Sequence, residues 1–387
     1  MKVTIVHQYF KHPREGGAIR SYYLAKGLIQ AGHEVEVITA HNESKLEIRR
    51  IEGIKVFYLP IYYSNHLGKY QRIWAFVKYV FMSIGILHKV KKPQYLYVIS
   101  TPLTVGVVAL WSKWILRVKY IFEIGDLWPE APIQLGYIQN PLLKSILYRF
   151  ESLVYNQAHR IAAMSPDIER IINRGKKVLM IPNMSDCEFF KSEEKDPILL
   201  EKFKLSDELV IAYLGTAGRA NHLDYLLQAA LKSEREQVNI RFLVAAEGSE
   251  LEHFRATVID NKLSNVIITD YTNKEGVKDL LRVSDAVYVS FAKVPILASG
   301  SPNKFFDGLA AGKLVITNFG GWVANEIADA HCGFNYDPTN TDEFLDKIIP
   351  FIENRELLEK YKNNARNLAE SKFSKRLLIN EWLTLFS

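Results

Sequence analysis

The chain of 387 residues is poor in cysteine, with only Cys187 and Cys332, far apart in sequence. That excludes a disulfide-stapled scaffold and any zinc-finger spacing, and it fits a reducing compartment. No Asp-X-Asp pair occurs, so the simple carboxylate pair that grips a divalent ion on nucleotide phosphates is missing. A GxxxxGK[ST] loop is absent, which argues against phosphoryl transfer of that type, and so is a GxSxG elbow. The first strand–turn–helix unit lacks GxGxxG, which weighs against a dinucleotide-dependent dehydrogenase. No apolar run reaches the ~18–20 residues of a membrane-crossing helix. The opening MKVTIVHQYF runs straight into a strand pattern without signal-peptide architecture, so the expected location is the cytosol.

What is present is ordinary for a globular protein: 48% hydrophobic and 24% charged residues exclude disorder and fibrous repeats. The length suits two domains or three. The formal charge of +6 hides an asymmetry, because residues 1–185 sum to +13 and residues 186–387 to −7. A basic half calls for an anionic ligand or surface, either nucleic acid or membrane. The detail favours membrane. Residues 74–87 read WAFVKYVFMSIGIL, with Lys69 and Arg72 before them and His88, Lys89, Lys91 and Lys92 after. Residues 111–119 (WSKWILRVK) mix two Trp with three cations. Apolar and aromatic faces flanked by Lys and Arg mark an interfacial helix. The plainer alternative is a buried core helix with a basic end.

A βαβ opening occurs twice. Residues 3–6 form an apolar strand run, Gly16 and Gly17 a loop, residues 18–31 a helix with Leu24, Ala25, Leu28 and Ile29 on one face, and residues 34–39 a strand. Near the middle, residues 209–214 (LVIAYL), the loop Gly215-Thr216-Ala217-Gly218, a helix at 223–231 and a strand at 240–245 repeat the pattern. Further strands are expected at 55–58, 95–99, 119–123, 160–163, 178–181, 266–269, 286–289 and 314–316, and the tail from 342 is mostly helical. The fold class predicted is α/β, with two Rossmann-like doubly wound domains facing a cleft. The boundary falls in the loop-rich segment 182–205. Domains are placed at 1–185 and 186–371, with a C-terminal helix at about 372–387 able to pack back on the first.

Several residues suit chemistry at strand ends. The Gly215–Thr216–Ala217–Gly218 loop offers backbone N–H groups to a phosphate, and Arg219 adds a charge; such loops also serve simple packing. Ser301-Pro302-Asn303-Lys304-Phe305-Phe306-Asp307 opens another helix. Its free N–H groups and the Lys304 ammonium suit a diphosphate, and Asp307 one turn on suits a sugar hydroxyl. The plain alternative is a helix start with a surface Lys. Gly16 and Gly17 let backbone approach a ligand. Asp126 follows a strand, as a catalytic acid does, but also starts a turn before Pro129. His7 and His12 read as polar loop residues.

Together these stretches resemble the retaining GT-B glycosyltransferases of family 4 over essentially the whole chain. The resemblance rests on Glu15-Gly16-Gly17 with Arg20 before AKGLIQAGHEVEVIT, on GDLWPEAP at 125–132 and on IPNMSD at 181–186. It also rests on YLGTAGRANHLDYLLQAA at 213–230 and on SPNKFFDGLAAGKLVI at 301–316, followed by Gly320-Gly321-Trp322. It is closest to bacterial transferases that add N-acetylfucosamine-type sugars in O-antigen or capsule synthesis. It implies a UDP-sugar donor on the C-terminal domain and a lipid-linked saccharide acceptor on the N-terminal one. It also implies an anionic inner-membrane surface as partner, on its cytoplasmic face, with no metal, no cofactor and no nucleic acid. The sugar implied is an N-acetylated deoxyhexose or hexosamine.

Carried over, Arg219 and Lys304 neutralise the leaving diphosphate, helped by backbone amides of Ser301, Asn303 and Phe305. Gly215, Thr216 and Gly218 belong to the donor loop, Tyr271 holds the base and Asp307 meets the ribose. Gly16, Gly17 and Arg20 serve the acceptor side, and Asp126 is the candidate catalytic acid. Ser299 stands where the family carries the first Glu of Glu-X7-Glu. Two rival functions are a nucleotide-sugar epimerase or hydrolase on the same fold, and a non-catalytic scaffold of a membrane polysaccharide complex.

Overall fold

The structure, a computed structural model, describes residues 1–17, 19–64, 67–172 and 178–387. The expected helix start at residue 18 and the Lys69 side chain lie outside the described residues. The chain folds into two compact units. Unit 1 comprises Met1–His12, Ala18–Pro182 and Leu378–Ser387; unit 2 comprises Pro13–Gly17 and Asn183–Leu377.

Unit 1 is built on eight strands: β1 (Lys2–Val6), β2 (Glu34–His41), β3 (Glu47–Ile51), β4 (Ile54–Pro60), β5 (Tyr95–Ile99), β6 (Lys119–Ile124), β7 (Arg160–Ala163) and β8 (Val178–Met180). Their order is β3-β4-β2-β1-β5-β6-β7-β8. Every pairing is parallel except the β3–β4 hairpin, and Ile5 of β1 lies between Val37 and Tyr97. The central β1 (KVTIV) is buried at every position, as a strand covered on both faces must be. β3 (EIRRI) was not foreseen. It pairs on one side only and carries charge, which suits an edge strand but hides it from an apolar-run search. The strand order reverses between β1 and β5, where open α/β sheets bind ligands.

The C-terminal segment completes this core. Trp382 is fully buried with its ring 5.0 Å from that of Tyr97. Ile379 packs so close to Gly27 that a Cβ there would lie 2.4 Å from its methyl.

Unit 2 contains β9 (Leu209–Thr216), β10 (Ile240–Glu247), β11 (Val266–Thr269), β12 (Ala286–Val289), β13 (Leu314–Thr317) and β14 (Gly333–Asn335), in the order β11-β10-β9-β12-β13-β14, all parallel. One face of the sheet buries Ile211, Tyr213, Phe242 and Tyr288 under the helices Asp224–Arg235 and Thr341–Glu353. β14 (GFN) escaped the sequence reading because it is short and has one apolar residue between Gly333 and Asn335. Its Gly333 is required: a Cβ there would sit 1.8 Å from the Val315 carbonyl oxygen. The order again reverses between β9 and β12. Among the described residues no helix is long and apolar enough to cross a membrane.

Candidate functional site

The switch point of unit 2 gathers most of the residues singled out for a donor. β9 ends in Leu214-Gly215-Thr216, and β12 leads through a short 3-10 turn (Pro295–Ser299) into the helix Asn303–Ala310. Pro302 precedes that helix and no side chain caps its first turn. Its early N–H groups therefore face outward with the positive end of the helix dipole. Phe305 is the exception, since its amide donates to the Pro302 carbonyl at 3.1 Å and its ring is buried against Phe306, Trp322 and Phe373. Ser301 is also committed: its hydroxyl and carbonyl oxygens accept from Asn183 at 2.9 and 2.5 Å. Asn303 is exposed.

Lys304 reaches from this helix across to β9. Its Nζ lies 4.7 Å from the centre of the Tyr213 ring and 3.1 Å from where a Cβ on residue 215 would stand. Gly215 has φ +127°, so glycine answers both the backbone and the ammonium. Burial lowers the Lys304 pKa to about 8, with the Asp307 carboxylate opposing that fall. Burial raises Asp307 to about 7; the Lys274 ammonium draws it down, Asp186 pushes it up and Lys304 draws it down. Lys274 is itself bonded to Asp186, whose second oxygen accepts from Lys375 at 2.8 Å. Sequence reading missed Lys274, which has no motif of its own; Asp186 stood in the quoted IPNMSD stretch without a role.

The central glycine loop rests on the turn after β10. Ala217 N donates to the Glu247 carbonyl at 2.7 Å, and a Cβ on Gly248 would strike the Ala217 oxygen at 2.4 Å. Gly248 was also missed, though its φ of +138° marks it as a residue that must be glycine. The Thr216 carbonyl accepts from the Tyr213 hydroxyl, and the Gly218 carbonyl accepts from Asn221 N and His222 N. The following helix starts at Asp224, so its N-terminus does not adjoin Gly218 as a phosphate loop would. Arg219 is exposed. Tyr271 follows β11 at the same edge of the sheet, half-buried, its hydroxyl pKa raised by burial and by Glu247. The Pro13–Gly17 segment, part of this unit, meets it there. A Cβ on Gly16 would lie 3.7 Å from the Tyr271 hydroxyl and 3.2 Å from the Asn273 Cα.

Ser299, eight residues before Asp307, is buried and gives its hydroxyl to the Ile296 carbonyl at 2.7 Å. It is not available as a substitute acid.

In unit 1, Arg20 is not free for a ligand. Its guanidinium grips Glu123 through two bonds of 3.0 and 2.9 Å and donates to the carbonyls of Pro182 (2.5 Å) and Ile181 (2.9 Å). Tyr97 adds its hydroxyl to the same carboxylate. His7 is buried beside this cluster, 2.8 Å from the Ser21 hydroxyl, with its pKa brought down to about 4, chiefly by burial. The Arg20–Glu123 pair spans 103 residues, a separation that a single sequence does not expose. Asp126 lies in the exposed loop after β6. Gln8, just past β1, buries an amide with neither atom bonded; nothing in the sequence marked it. Among the described residues no three His, Cys, Asp or Glu side chains are grouped as a metal site.

The arrangement in unit 2 is suited to a diphosphate: an ammonium with no ion-pair partner among the described residues, outward N–H groups and a glycine that leaves room. Residues 15–183 match the model of the glycosyl transferase 4-like domain, and residues 196–368 that of glycosyl transferases group 1. The chain joins a glycosyl transferase 4-like domain to a glycosyl transferases group 1 domain. An uncharacterised glycosyltransferase of Methanocaldococcus jannaschii is 20% identical over 240 residues, which is 60% of this chain. The chain spans 59% of the length of that relative. Sucrose-phosphate synthase of Thermosynechococcus elongatus shares the fold with a TM-score of 0.74 at 13% identity, covering 100% of this chain and 98% of that one. HepE of Anabaena, solved in complex with UDP-glucose, shares it with a TM-score of 0.72 at 15% identity, covering 100% of both chains. At such identities the likeness is one of fold, and the GT-B architecture of two parallel-sheet units holds for this family member.

Proposed function

We propose that this GT-B protein moves a sugar from a UDP-linked donor held by unit 2 to a saccharide acceptor on unit 1, with retention of anomeric configuration. The observation that carries the reading is Lys304, an unpaired ammonium beside Gly215 at the strand reversal of unit 2. Departure of the nucleotide diphosphate breaks the C1–O bond and builds negative charge on phosphate oxygens. Lys304 and the outward amides of Asn303 and Lys304 meet that charge, with Arg219 as a second cation. The acceptor hydroxyl attacks C1 from the face the diphosphate leaves, and its proton passes to a departing phosphate oxygen. Catalysis rests on positioning and on stabilising the leaving group. Asp307 suits the ribose hydroxyls and Tyr271 the base. Gly16, which touches Tyr271, keeps this edge open to a ligand. Asp126 is proposed as the acid on the acceptor side. Arg20, committed to Glu123, is left out of the acceptor set. HepE with its UDP-glucose supports uracil as the base, and no metal is needed where two cations and helix amides meet the diphosphate.

The acceptor proposed is a lipid-linked saccharide of cell-surface polysaccharide synthesis, reached from the cytoplasmic face of an anionic membrane, and the sugar an N-acetylated deoxyhexose or hexosamine. Support comes from helices of unit 1. The stretch at 74–87 lies within the helix Lys69–Lys89, which has a buried face and an exposed one. Tyr79, Val80, Ile86 and Leu87 are core, whereas Tyr70, Trp74 and Phe81 are exposed, Phe81 by 70%. Next to it packs Val105–Trp114, with Trp111 and Trp114 outward. Beside that lies Pro141–Gln157, which buries only Val154 in 17 residues and exposes Leu142, Leu143 and Ile146 on a helix that also carries Lys144 and Arg149. Apolar and aromatic side chains among cations are the make-up of an interfacial surface.

Two measurements test the reading. A thermal-shift panel of UDP, GDP, ADP and TDP with EDTA present should show stabilisation by UDP alone. A ligand at 100 times its Kd adds about 2.7 kcal/mol. A shift with another nucleotide overturns the UDP assignment, and no shift with any overturns the donor site. Flotation with vesicles should show binding to anionic but not zwitterionic lipid, weakened by salt and by Trp74→Ser with Leu142→Ser. Equal recovery with both lipids, or no effect of the variants, removes the membrane partner.

A further inference from the structure

The ammonium of Lys304 is disfavoured by burial, and Asp307 on the same helix offsets part of that. No carboxylate lies within ion-pair distance of it among the described residues. The strands packed on this helix, β12 and β13, carry no charged side chain. The helix Arg355–Ser371, also packed on it, brings Arg366 to the carbonyl of Ala310 at its far end. Lys274 and Asp186, whose charges act on Asp307, are paired with each other. A buried cation needs some answer from its surroundings, and here no charged group within reach supplies it.

What faces the ammonium is an aromatic ring. Lys304 Nζ lies over Tyr213, 4.7 Å from the ring centre. β9 reads LVIAYLGT, and Tyr213 is its only aromatic residue and fully buried. The face of the ring carries partial negative charge, so it steadies a cation without neutralising it. A carboxylate in the same place would pair with Lys304 and repel an incoming diphosphate. The Tyr213 hydroxyl has a different partner: it donates to the Thr216 carbonyl, three residues on in the glycine loop. Burial raises the pKa of that hydroxyl, so it keeps the proton it donates. Phe or Leu would fill the same space with no polar group to satisfy, whereas both ends of Tyr213 are engaged.

We propose that Tyr213 is a positioning residue of the donor site: the face of its ring holds the Lys304 ammonium charged and in place for a diphosphate, and its hydroxyl fixes the adjoining loop at Thr216. This rests on the donor role given to Lys304 above. The two halves of the side chain act separately. The ring sets how readily Lys304 keeps its proton, and the hydroxyl sets where the backbone beside Gly215 lies. Gly215 completes the arrangement, because a Cβ there would stand 3.1 Å from the same ammonium. With its midpoint at about 8, Lys304 stays charged at neutral pH by a narrow margin, and loss of the ring's contribution lowers that midpoint further.

Graded fluorination of the ring tests this in the full chain. Tyr213→Phe removes the hydroxyl and keeps the face. Singly, doubly and triply fluorinated phenylalanine at position 213 then withdraw electron density from the face at nearly constant size, so folding is preserved. Lys304, isotopically labelled at Cε and assigned by its loss in Lys304→Ala, is titrated by NMR, and UDP binding is measured by calorimetry near pH 8. Tyr213→Phe should leave the Lys304 midpoint in place. Fluorination should lower it in steps, by about one pH unit in total, because a desolvated cation–π contact favours the charged form by about tenfold. UDP affinity should fall several-fold along the same series and stay flat along it in Lys304→Ala. A midpoint that does not move with fluorination overturns the inference, and so does a fluorine effect on UDP affinity that persists in Lys304→Ala. The donor reading fails separately: if the wild type binds no UDP, that reading is lost, and the midpoint still decides whether the ring holds the ammonium.

Discussion

The two units share one strand order around their reversal points but treat a cation at a helix start in opposite ways. In unit 1, Arg20 opens the helix that follows β1, and its guanidinium is enclosed by Glu123 and two carbonyls. In unit 2, Lys304 lies in the first turn of the helix after β12 and has an aromatic ring and a glycine for company but, among the described residues, no carboxylate within ion-pair distance. A planar fork that grips a carboxylate through two bonds is structure; a point charge left at the strand ends is available to a ligand. The difference separates a residue committed to the fold from one left open to the substrate role proposed for it, although both sit in stretches that resemble family motifs.

The largest effect expected from breaking this contrast is on stability. Glu123→Ala leaves the Arg20 guanidinium buried without its counter-charge and strips the Tyr97 hydroxyl of its acceptor. Removing one member of a buried pair costs about 3–5 kcal/mol. Chemical denaturation followed by tryptophan fluorescence should show a loss of that size, while UDP affinity of the remaining folded protein stays unchanged. A loss below about 1 kcal/mol would mean that the Arg20 cluster is not what holds β1, β6 and the end of unit 1 together.

Lys304→Ala should do the reverse. The ammonium is already disfavoured by its surroundings, so the melting temperature should hold or rise slightly. Sugar transfer should fall by roughly 10²–10³, the loss found when one preorganised anion-stabilising donor is removed. Initial rates against donor concentration measure it. Full turnover in this variant would make Lys304 a surface lysine at a helix start and nothing more.

How far the sequence revealed this contrast follows from the range of each interaction. The strands β1, β9 and β12 are runs of apolar residues, and the Gly215 loop and the Ser301–Asp307 stretch are contiguous, so local pattern sufficed to find them. The α/β class and the parallel sheets were legible for the same reason. β3 and β14 were not, because one is polar at an edge and the other is a short stretch with a single apolar residue. Glu123 was unremarkable because its partner lies 103 residues away. The same limit made Arg20 look like an acceptor group: a motif reports which residue is placed, not what surrounds it. Ser301 and Phe305 show the complementary failure. The Phe305 amide assigned to a donor is taken up by the Pro302 carbonyl, and the Ser301 hydroxyl and carbonyl oxygens accept from Asn183.

The smallest expected effect sharpens the comparison most. Gly215→Ala adds one methyl group, 3.1 Å from Lys304 Nζ and 3.3 Å from its Cε, at a φ of +127° that an L-residue rarely adopts. The end of a lysine side chain can move by a few tenths of an ångström, so the packing conflict is mild and the backbone strain, about 1–3 kcal/mol, dominates stability. The shifted ammonium no longer sits where a diphosphate needs it. UDP affinity should fall about tenfold, which is about 1.4 kcal/mol. If the effect acts through Lys304, it should disappear in the double variant: Gly215→Ala added to Lys304→Ala should leave UDP affinity where Lys304→Ala alone puts it. Additive losses would show instead that the loop's own backbone contacts the nucleotide and that Lys304 acts apart from it.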